Sequence, residues 1–549
     1  MRDKRIKDYL TPQRIVWSSS LHAIVNAKCL LVNNTGQASL AAQNVCTLRT
    51  EDGPVGILLD FGKELHGGIQ IVVGNTPNRK PIRLRIRFGE SIAEAMAELS
   101  DSQNATNDHS IRDQICLAPW LGVLETGQTG FRFVRIDLLD QDGIVELQAV
   151  RATFVYRDLK YQGRFESSDP LLNQIWLTGA YTVHLNMQEY LWDGIKRDRL
   201  IWIGDMHPEA MTVSTVFGAH EIVPASLDRV RDETSLPRWM NGISSYSLWW
   251  ILIHRDWFLF HGDRDYLRSQ KEYLTGLTPM LLACVDEQGL EKLPPWRFLD
   301  WPTQSNEAAT HAGLHALLTM TLSACADIWN SLGDFTTETF CRDAVLQLQR
   351  HRPDPHQSKQ AAALLALSGL QDAKKINAEI LSVNELNSLS TFMGYYVLQA
   401  RAAAGDYQGC LDTIRRYWGG MLSMGATTFW EDFDVAWMDN ACPIDQMPQP
   451  GQVDIHGDCG SYCYKGFRHS LCHGWASGPT SWLSEHILGV RPLEPGFRKA
   501  AVRPNLCGLD YVHGAFPTPY GLIEVQHSKN SKGRIETEIS APKEIEIIK

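Results

Sequence analysis

The sequence has no long hydrophobic run. Its most apolar central stretch, Leu248-Trp-Trp-Ile-Leu-Ile253, covers six residues, far short of the ~18 that a bilayer-crossing helix needs. It has no basic block either: 52 Lys and Arg stand against 63 Asp and Glu, a net charge of -11. That balance argues against a nucleic-acid partner and against an anionic membrane surface. Gly-x-Gly-x-x-Gly and Gly-Lys-Ser/Thr are missing, and with them the usual phosphate-cradling loops. No nucleophile elbow marks a catalytic serine or cysteine. The 12 cysteines are scattered, so they read as reduced thiols of a cytoplasmic protein rather than as a disulfide framework. Residues 1–10 carry charge without an apolar h-region, and no secretory leader is read there.

What the sequence has in surplus is aromatic. Its 17 Trp, 16 Tyr and 18 Phe exceed what core filling alone asks for, although most will fill the core. Such rings also stack on the apolar faces of sugars.

Three regions differ in periodicity. Residues 1–160 alternate apolar and polar positions in short runs such as Ile82-Arg-Leu-Arg-Ile-Arg-Phe88 and Phe131-Arg-Phe-Val-Arg-Ile-Asp137. Period two with Gly, Asn and Pro between runs predicts an antiparallel β-sandwich. Residues 90–116 lack that pattern and read as a long loop. From Ser168-Asp169-Pro170, a capping residue followed by first-turn proline, the period becomes helical. About twelve helices are predicted over residues 161–489: near 170–188, 205–219, 221–233, 244–262, 264–285, 306–332, 334–350, 358–370, 372–382, 391–404, 406–421 and 470–488. Gly262-Asp263, Gly333-Asp334 and Gly405-Asp406 punctuate them. Twelve helices in consecutive hairpins can close into an (α/α)6 toroid. Residues 490–549 return to strand signals, a short C-terminal β-domain expected to pack on the helices.

Three segments carry candidate chemistry. Asp193-Gly-Ile-Lys-Arg197-Asp198-Arg199-Leu-Ile-Trp202-Ile-Gly-Asp205 interleaves three aspartates with cations and an indole. It lies between helices, where a loop can aim side chains into a barrel mouth. Read alone, it is equally a charged connector with Asp205 capping the next helix. Gly425-Ala-Thr-Thr-Phe-Trp430-Glu431 sets an acid beside an indole, an arrangement that favours a general acid or base; an ordinary helix-to-loop junction would look the same. In Trp296-Arg-Phe-Leu-Asp300-Trp301, a solvated Asp among packing tryptophans is the plainer reading.

Together these segments resemble the α-L-rhamnosidases of glycoside hydrolase family 78. That family's Asp-Cys-Pro-x-Arg-Glu-Arg-x-Gly-Trp-x-Gly-Asp is met in register by Asp193, Arg197, Asp198, Arg199, Trp202, Gly204 and Asp205. Its Gly-Ala-Thr-Thr-x-Trp-Glu is similar to Gly425–Glu431, its Gly-Asp-Trp to Leu299-Asp300-Trp301, and its Ser-Phe-Asn-His to Ser470-Leu-Cys-His473. Asp60-Phe-Gly-Lys-Glu-Leu65 resembles a strand that precedes the barrel in relatives. The resemblance implies an (α/α)6 barrel flanked by β-sandwiches, and inverting hydrolysis of terminal α-L-rhamnosides. Inversion requires an acid and a water-activating base ~6.5–9.5 Å apart. Asp198 would be the acid and Glu431 the base. Asp193, Arg197, Asp205, Asp300 and His473 would bind sugar hydroxyls; Trp202, Trp301 and Trp430 would face the deoxy sugar's apolar side. The family's acid is usually Glu, so Asp198 shortens the reach by ~1.5 Å. Gly194-Ile195 replaces the Cys-Pro.

A lyase or uronyl hydrolase on the same toroid, with Lys196, Arg197 and Arg199 neutralising a substrate carboxylate, is one alternative. A non-catalytic carbohydrate-binding protein with a weakened acid is another. His456, Cys459, Cys463, His469, Cys472 and His473 offer zinc-type ligands without a Cys-x-x-Cys pair, so no metal and no cofactor is expected. The expected partner is a carbohydrate substrate; a homo-oligomer is compatible with the sequence.

Overall fold

The computed structural model describes residues 3–19, 22–50 and 53–549. Residues 1–2, 20–21 and 51–52 belong to the N-terminal region predicted to be β, and the first pair to the stretch read for a leader; they lie outside the described residues.

The N-terminal region is built of strands, as period two predicts. Nine of them form one hydrogen-bonded network. Its spine is Val55–Asn75, 21 residues long. Gly122–Leu138 pairs antiparallel along most of it; Arg14–Ser18 flanks its first half and Ile144–Tyr156 its second. Register shifts between Asp60 and Leu65 and between Gly67 and Ile69 bend the spine, as bulges do. Alternation alone leaves one face wet, yet nearly all of this strand is buried. The helical region covers the second face: Leu185, Ile195 and Cys472 belong to the same apolar cluster as Leu65, Phe131 and Phe154.

The long loop expected over 90–116 is only partly a loop. Ile92–Met96 is a short helix, capped by Ser91 accepting from the Glu94 amide, and Asp113–Ala118 is a strand paired with Ile82–Gly89. The strand escaped the pattern because its polarity is inverted. Asp113 is buried while Ile115 and Leu117 are exposed.

The helices follow the predicted order closely. Asp169 accepts from the Leu171 amide at 2.9 Å and Pro170 fills the first turn of Pro170–Asn186. At each Gly-Asp pair the glycine adopts positive φ after one helix, and Asp263, Asp334 or Asp406 accepts from an amide of the next. That is the physical content of the punctuation. Two predicted helices differ. Residues 264–285 break at Gln270 into Arg264–Ser269 and Lys271–Leu282. Residues 470–473 are not helical, and regular helix starts only at Gly478.

Met206–Val216, Ser244–His261, Glu307–Leu332, Lys359–Leu367, Gly394–Ala403 and Gly478–Trp482 pack each on the next, and the last on the first. This ring buries Trp249, Trp250, Trp329 and Tyr396. The tail supplies three strands of a four-stranded sheet and all of a three-stranded one. Arg164–Ser167, ahead of the first helix, pairs with tail strand Tyr511–Thr518, and Val512, Phe516 and Ile523 join the helical core. Among the described residues no helix is long and apolar enough to cross a membrane.

Candidate active site

Three segments distant in sequence are tied together by main-chain hydrogen bonds at one end of the helix ring. The Gly474 amide donates to the Asp193 carbonyl, His473 to the Phe429 carbonyl and Glu431 to the Ser470 carbonyl, each at 2.9 Å. Gly194 and His473 form an antiparallel bridge. Because 470–473 is extended rather than helical, it can bridge the other two.

A cavity of about 270 Å³ opens there. Asp193, Arg197, Asp198, Trp202, Asp205, Trp301, Glu431 and His473, all singled out from sequence, line it. The structure also brings Tyr246, Trp296, Phe298, Tyr464, Arg468 and Trp475 to it. Trp296 and Phe298 belong to the third candidate segment; Tyr246, Tyr464 and Trp475 were hinted at only by the aromatic surplus, and Arg468 by nothing in the sequence. Larger cavities of about 830 and 470 Å³ lie elsewhere, but neither is lined by any of the candidate site residues singled out from sequence.

Asp300 and Trp430 do not line the cavity. Asp300 is buried, not solvated. It accepts from the Trp301 amide at 2.9 Å and the Ser390 hydroxyl at 2.5 Å, and burial pushes it up to about 7. It therefore fixes Trp301 from behind. Trp430 packs edge-on against Phe433 and His469, a wall behind Glu431.

Glu431 is buried and ion-paired with Arg197. The Ser470 amide donates to its carboxylate at 3.2 Å, and His473 Nδ1 stands 3.7 Å away. Burial pushes the carboxyl up, but Arg197 and His473 prevail and hold it below its ordinary value. His473 is shifted the other way: burial lowers it, and Glu431, Asp205 and Asp193 together raise it. Asp205 occupies the N-cap position of Met206–Val216 but makes no cap hydrogen bond. Its carboxylate instead takes the Tyr246 hydroxyl at 3.3 Å and His473 Nε2 at 3.1 Å, so the plain connector reading does not describe it. Asp193 accepts from the Leu200 amide at 2.9 Å, and burial pushes it well up.

Asp198 sits on a tight turn. Asp198 and Arg199 have φ of 54° and 55°, a left-handed pair that non-glycine residues hold only when surroundings enforce it. Arg199 enforces it by donating to the Gln128 carbonyl at 3.0 Å and the His109 carbonyl at 3.3 Å, both in the β region. The Asp198 carboxylate takes the Trp202 indole N–H at 3.3 Å and lies 2.9 Å from His109 Nδ1. Arg468 donates to His109 Nε2 at 2.8 Å. Nε2 is therefore the acceptor, and Nδ1 carries the proton toward Asp198. Arg197 Nη1 is 3.8 Å from the same carboxylate, so one guanidinium spans Asp198 and Glu431. His109, from the stretch expected to be a plain loop, was missed.

One other reading is corrected by geometry. Lys196 does not face the cavity: its Nζ lies 3.0 Å from Glu90 and 3.3 Å from Glu94. Glu90, Glu94 and His456 form a group of metal-ligating types, but that ammonium already supplies the positive charge between the two glutamates. Glu209, a conceivable alternative acid, is buried beside Asn186 and outside the cavity lining.

Residues 160–351 match the bacterial alpha-L-rhamnosidase six-hairpin glycosidase domain. Residues 489–547 match the C-terminal domain of the same proteins. These two segments bear out the resemblance read from the motifs. An alpha-L-rhamnosidase of Alteromonas sp. (strain LOR) is 23% identical over 535 residues, covering 87% of this chain and 54% of that protein. The crystal structure of the GH78 family rhamnosidase of Bacillus sp. GL1 superposes with TM-score 0.77 at 23% identity, over 95% of this chain and 55% of that one. A rhamnosidase from Klebsiella oxytoca with rhamnose bound superposes with TM-score 0.67 at 20% identity, over 88% of this chain and 96% of that one. The chain thus spans about half the length of the curated relative it matches and of the Bacillus structure. At these identities the structural likeness speaks for the fold: a mixed α and β chain with a helical domain and a C-terminal β domain.

Proposed function

We propose that this chain is an inverting glycoside hydrolase that releases terminal non-reducing α-L-rhamnose, or a closely related deoxy sugar, from glycosides. The observation that carries the reading is the pair of carboxylates, Glu431 and Asp198, spanned by the Arg197 guanidinium on a cavity walled by Trp202, Trp301 and Trp475. An ionised Glu431 takes a proton from water as the water attacks the anomeric carbon, and Asp198 protonates the departing oxygen. Asp193, Asp205 and His473 hold sugar hydroxyls by hydrogen bonds. The indoles take the methyl-bearing face.

The closed ring of six packed helices supports an (α/α)6 toroid over 161–489, flanked by an N-terminal β-sandwich over 1–160 and a C-terminal β-domain over 490–549. The twelve free cysteines fit a reducing, cytoplasmic setting and hence small imported oligosaccharides as substrates. One observation favours a second reading. Asp198 is already engaged by the Trp202 indole N–H and by His109, with the Arg197 guanidinium 3.8 Å away, so its carboxylate is committed to partners other than a departing oxygen. A carbohydrate-binding protein of low turnover follows if that environment persists with sugar bound.

The deciding experiment incubates the protein with aryl α-L-rhamnoside, rhamnose-capped oligosaccharides and a panel of other deoxyhexosides and pentosides, with product anomers followed by NMR. Release of β-rhamnose first is expected. Sugar binding in a calorimeter without product after long incubation supports the binding protein. An unsaturated product absorbing in the ultraviolet supports a lyase.

A further inference from the structure

Beside the candidate active site lies a second, much smaller cavity of about 20 Å³, room for one water-sized particle. Arg112, Lys196, Arg197 and Arg468 line it, together with His109 and the carboxylates of Asp108 and Glu94. Arg197 and Arg468 line the larger cavity too, so the two share a wall.

Three of the four cations are already matched. Lys196 meets Glu90 and Glu94, Arg197 meets Glu431, and Arg468 meets Asp108 at 3.2 Å. Arg112 is not. It is 4% exposed, and among the described residues no carboxylate comes within ion-pair distance of it. Its Nη2 donates to the Ala97 carbonyl at 2.8 Å, while Nε and Nη1 have no acceptor at all. Of the nearby acids, Glu94 is committed to Lys196 and to the Glu90 amide, and Asp113 to Arg85. Glu94 and Asp113 attract it from beyond ion-pair distance, but a buried guanidinium with two idle donors and no ion pair of its own is costly. A water would answer the donors but not the charge.

We propose that Arg112 anchors a binding site for a small monovalent anion, chloride in the first instance, between the N-terminal β region and the candidate active site. The small volume suits a monatomic anion, which accepts several N–H groups without a preferred direction. The site bears on both arms of the chemistry. His109, on its wall, donates to Asp198, and Arg197, on its wall, holds Glu431. An anion there fixes His109 and the guanidiniums at the rear of the active cavity. The binding claim stands on its own geometry; the effect on turnover rests on the proposed glycosidase reading.

The test uses the whole chain at constant ionic strength, with chloride exchanged for gluconate. Crystals soaked in bromide are expected to show an anomalous peak within hydrogen-bond distance of Arg112 Nε. Chlorine NMR linewidth is expected to broaden with wild type and not with Arg112→Met. Chloride is expected to raise the wild-type Tm by about 1–2 °C and the hydrolytic rate several-fold. Arg112→Met is expected to hold the chloride-free rate at every chloride concentration. No bromide peak at Arg112, or wild-type rate and linewidth indifferent to chloride, overturns the proposal, and the wild-type crystal decides it even if the variant does not fold. Halide binding without hydrolysis leaves the anion site standing and sinks the glycosidase; hydrolysis without halide binding does the reverse.

Discussion

Glu431 and His473 touch the same cavity and titrate in opposite senses, and that opposition sets the pH behaviour. The Glu431 carboxyl is held low by Arg197 and His473 against burial. Its contribution to stability is therefore present above the unfolded carboxylate value and is lost as pH falls through the lower folded value. His473 is raised by Glu431, Asp205 and Asp193. Its contribution is present below the unfolded value of about 6.5 and lost as pH rises through the higher folded one. Urea denaturation across pH is expected to show both limbs in wild type and to lose the alkaline limb in His473→Asn. For turnover, Glu431→Gln keeps the shape but cannot accept a proton. It is expected to lower kcat by ~10²–10⁴-fold with KM nearly unchanged; full kcat would put the base elsewhere. Asp198→Asn is expected to damage substrates with poor leaving groups most and partly spare activated aryl ones. Equal damage to all would make Asp198 a binding residue. The type and register of these residues were legible in the sequence. Their charge states were not, because each is set by partners such as His473 or Arg197 more than thirty residues away or on another segment.

At the scale of elements, the turn at 197–199 and the non-helical stretch 470–473 do the positioning. Arg199→Ala removes the two bonds from that turn to the β region. It is expected to lower kcat about tenfold while shifting Tm little, measured by steady-state kinetics and calorimetry. Gly474 has no room for a side chain: a Cβ there would stand 1.6 Å from Glu209 Oε1. Gly474→Ala is expected to cost about 1–3 kcal/mol in chemical denaturation. The Gly-Asp punctuation was readable because a cap is a local device, satisfied within four residues. The extended run 470–473 was not, since its main-chain partners are residues 193, 429 and 431, and nothing nearby in sequence announces them. The strand Asp113–Ala118 was missed because periodicity presumes apolar residues face inward.

At the scale of the molecule, the tail is part of the helical body rather than an appendage. Its sheet is completed by Arg164–Ser167, and its apolar residues share the helical core. Deleting residues 490–549 is expected to expose a strand edge and that core together. The outcome predicted is aggregation or loss of the cooperative melt, read by calorimetry and size exclusion. A truncated chain that melts at the wild-type temperature would show the tail to be dispensable.

The sequence by itself determined the order β, helical, β, the near-boundaries of the helices, and the residue types gathered at the site. Hydrophobic period, caps and motif spacing are short-range properties, written in neighbouring residues. Only the tertiary structure decided which candidates share a cavity. It set Asp300 and Trp430 behind the wall, brought His109 to Asp198 and Arg468 to His109 from distant parts of the chain, and left Arg112 buried without an ion pair of its own. Those outcomes depend on how two separately patterned regions press their faces together, and packing between regions leaves no periodic trace in either.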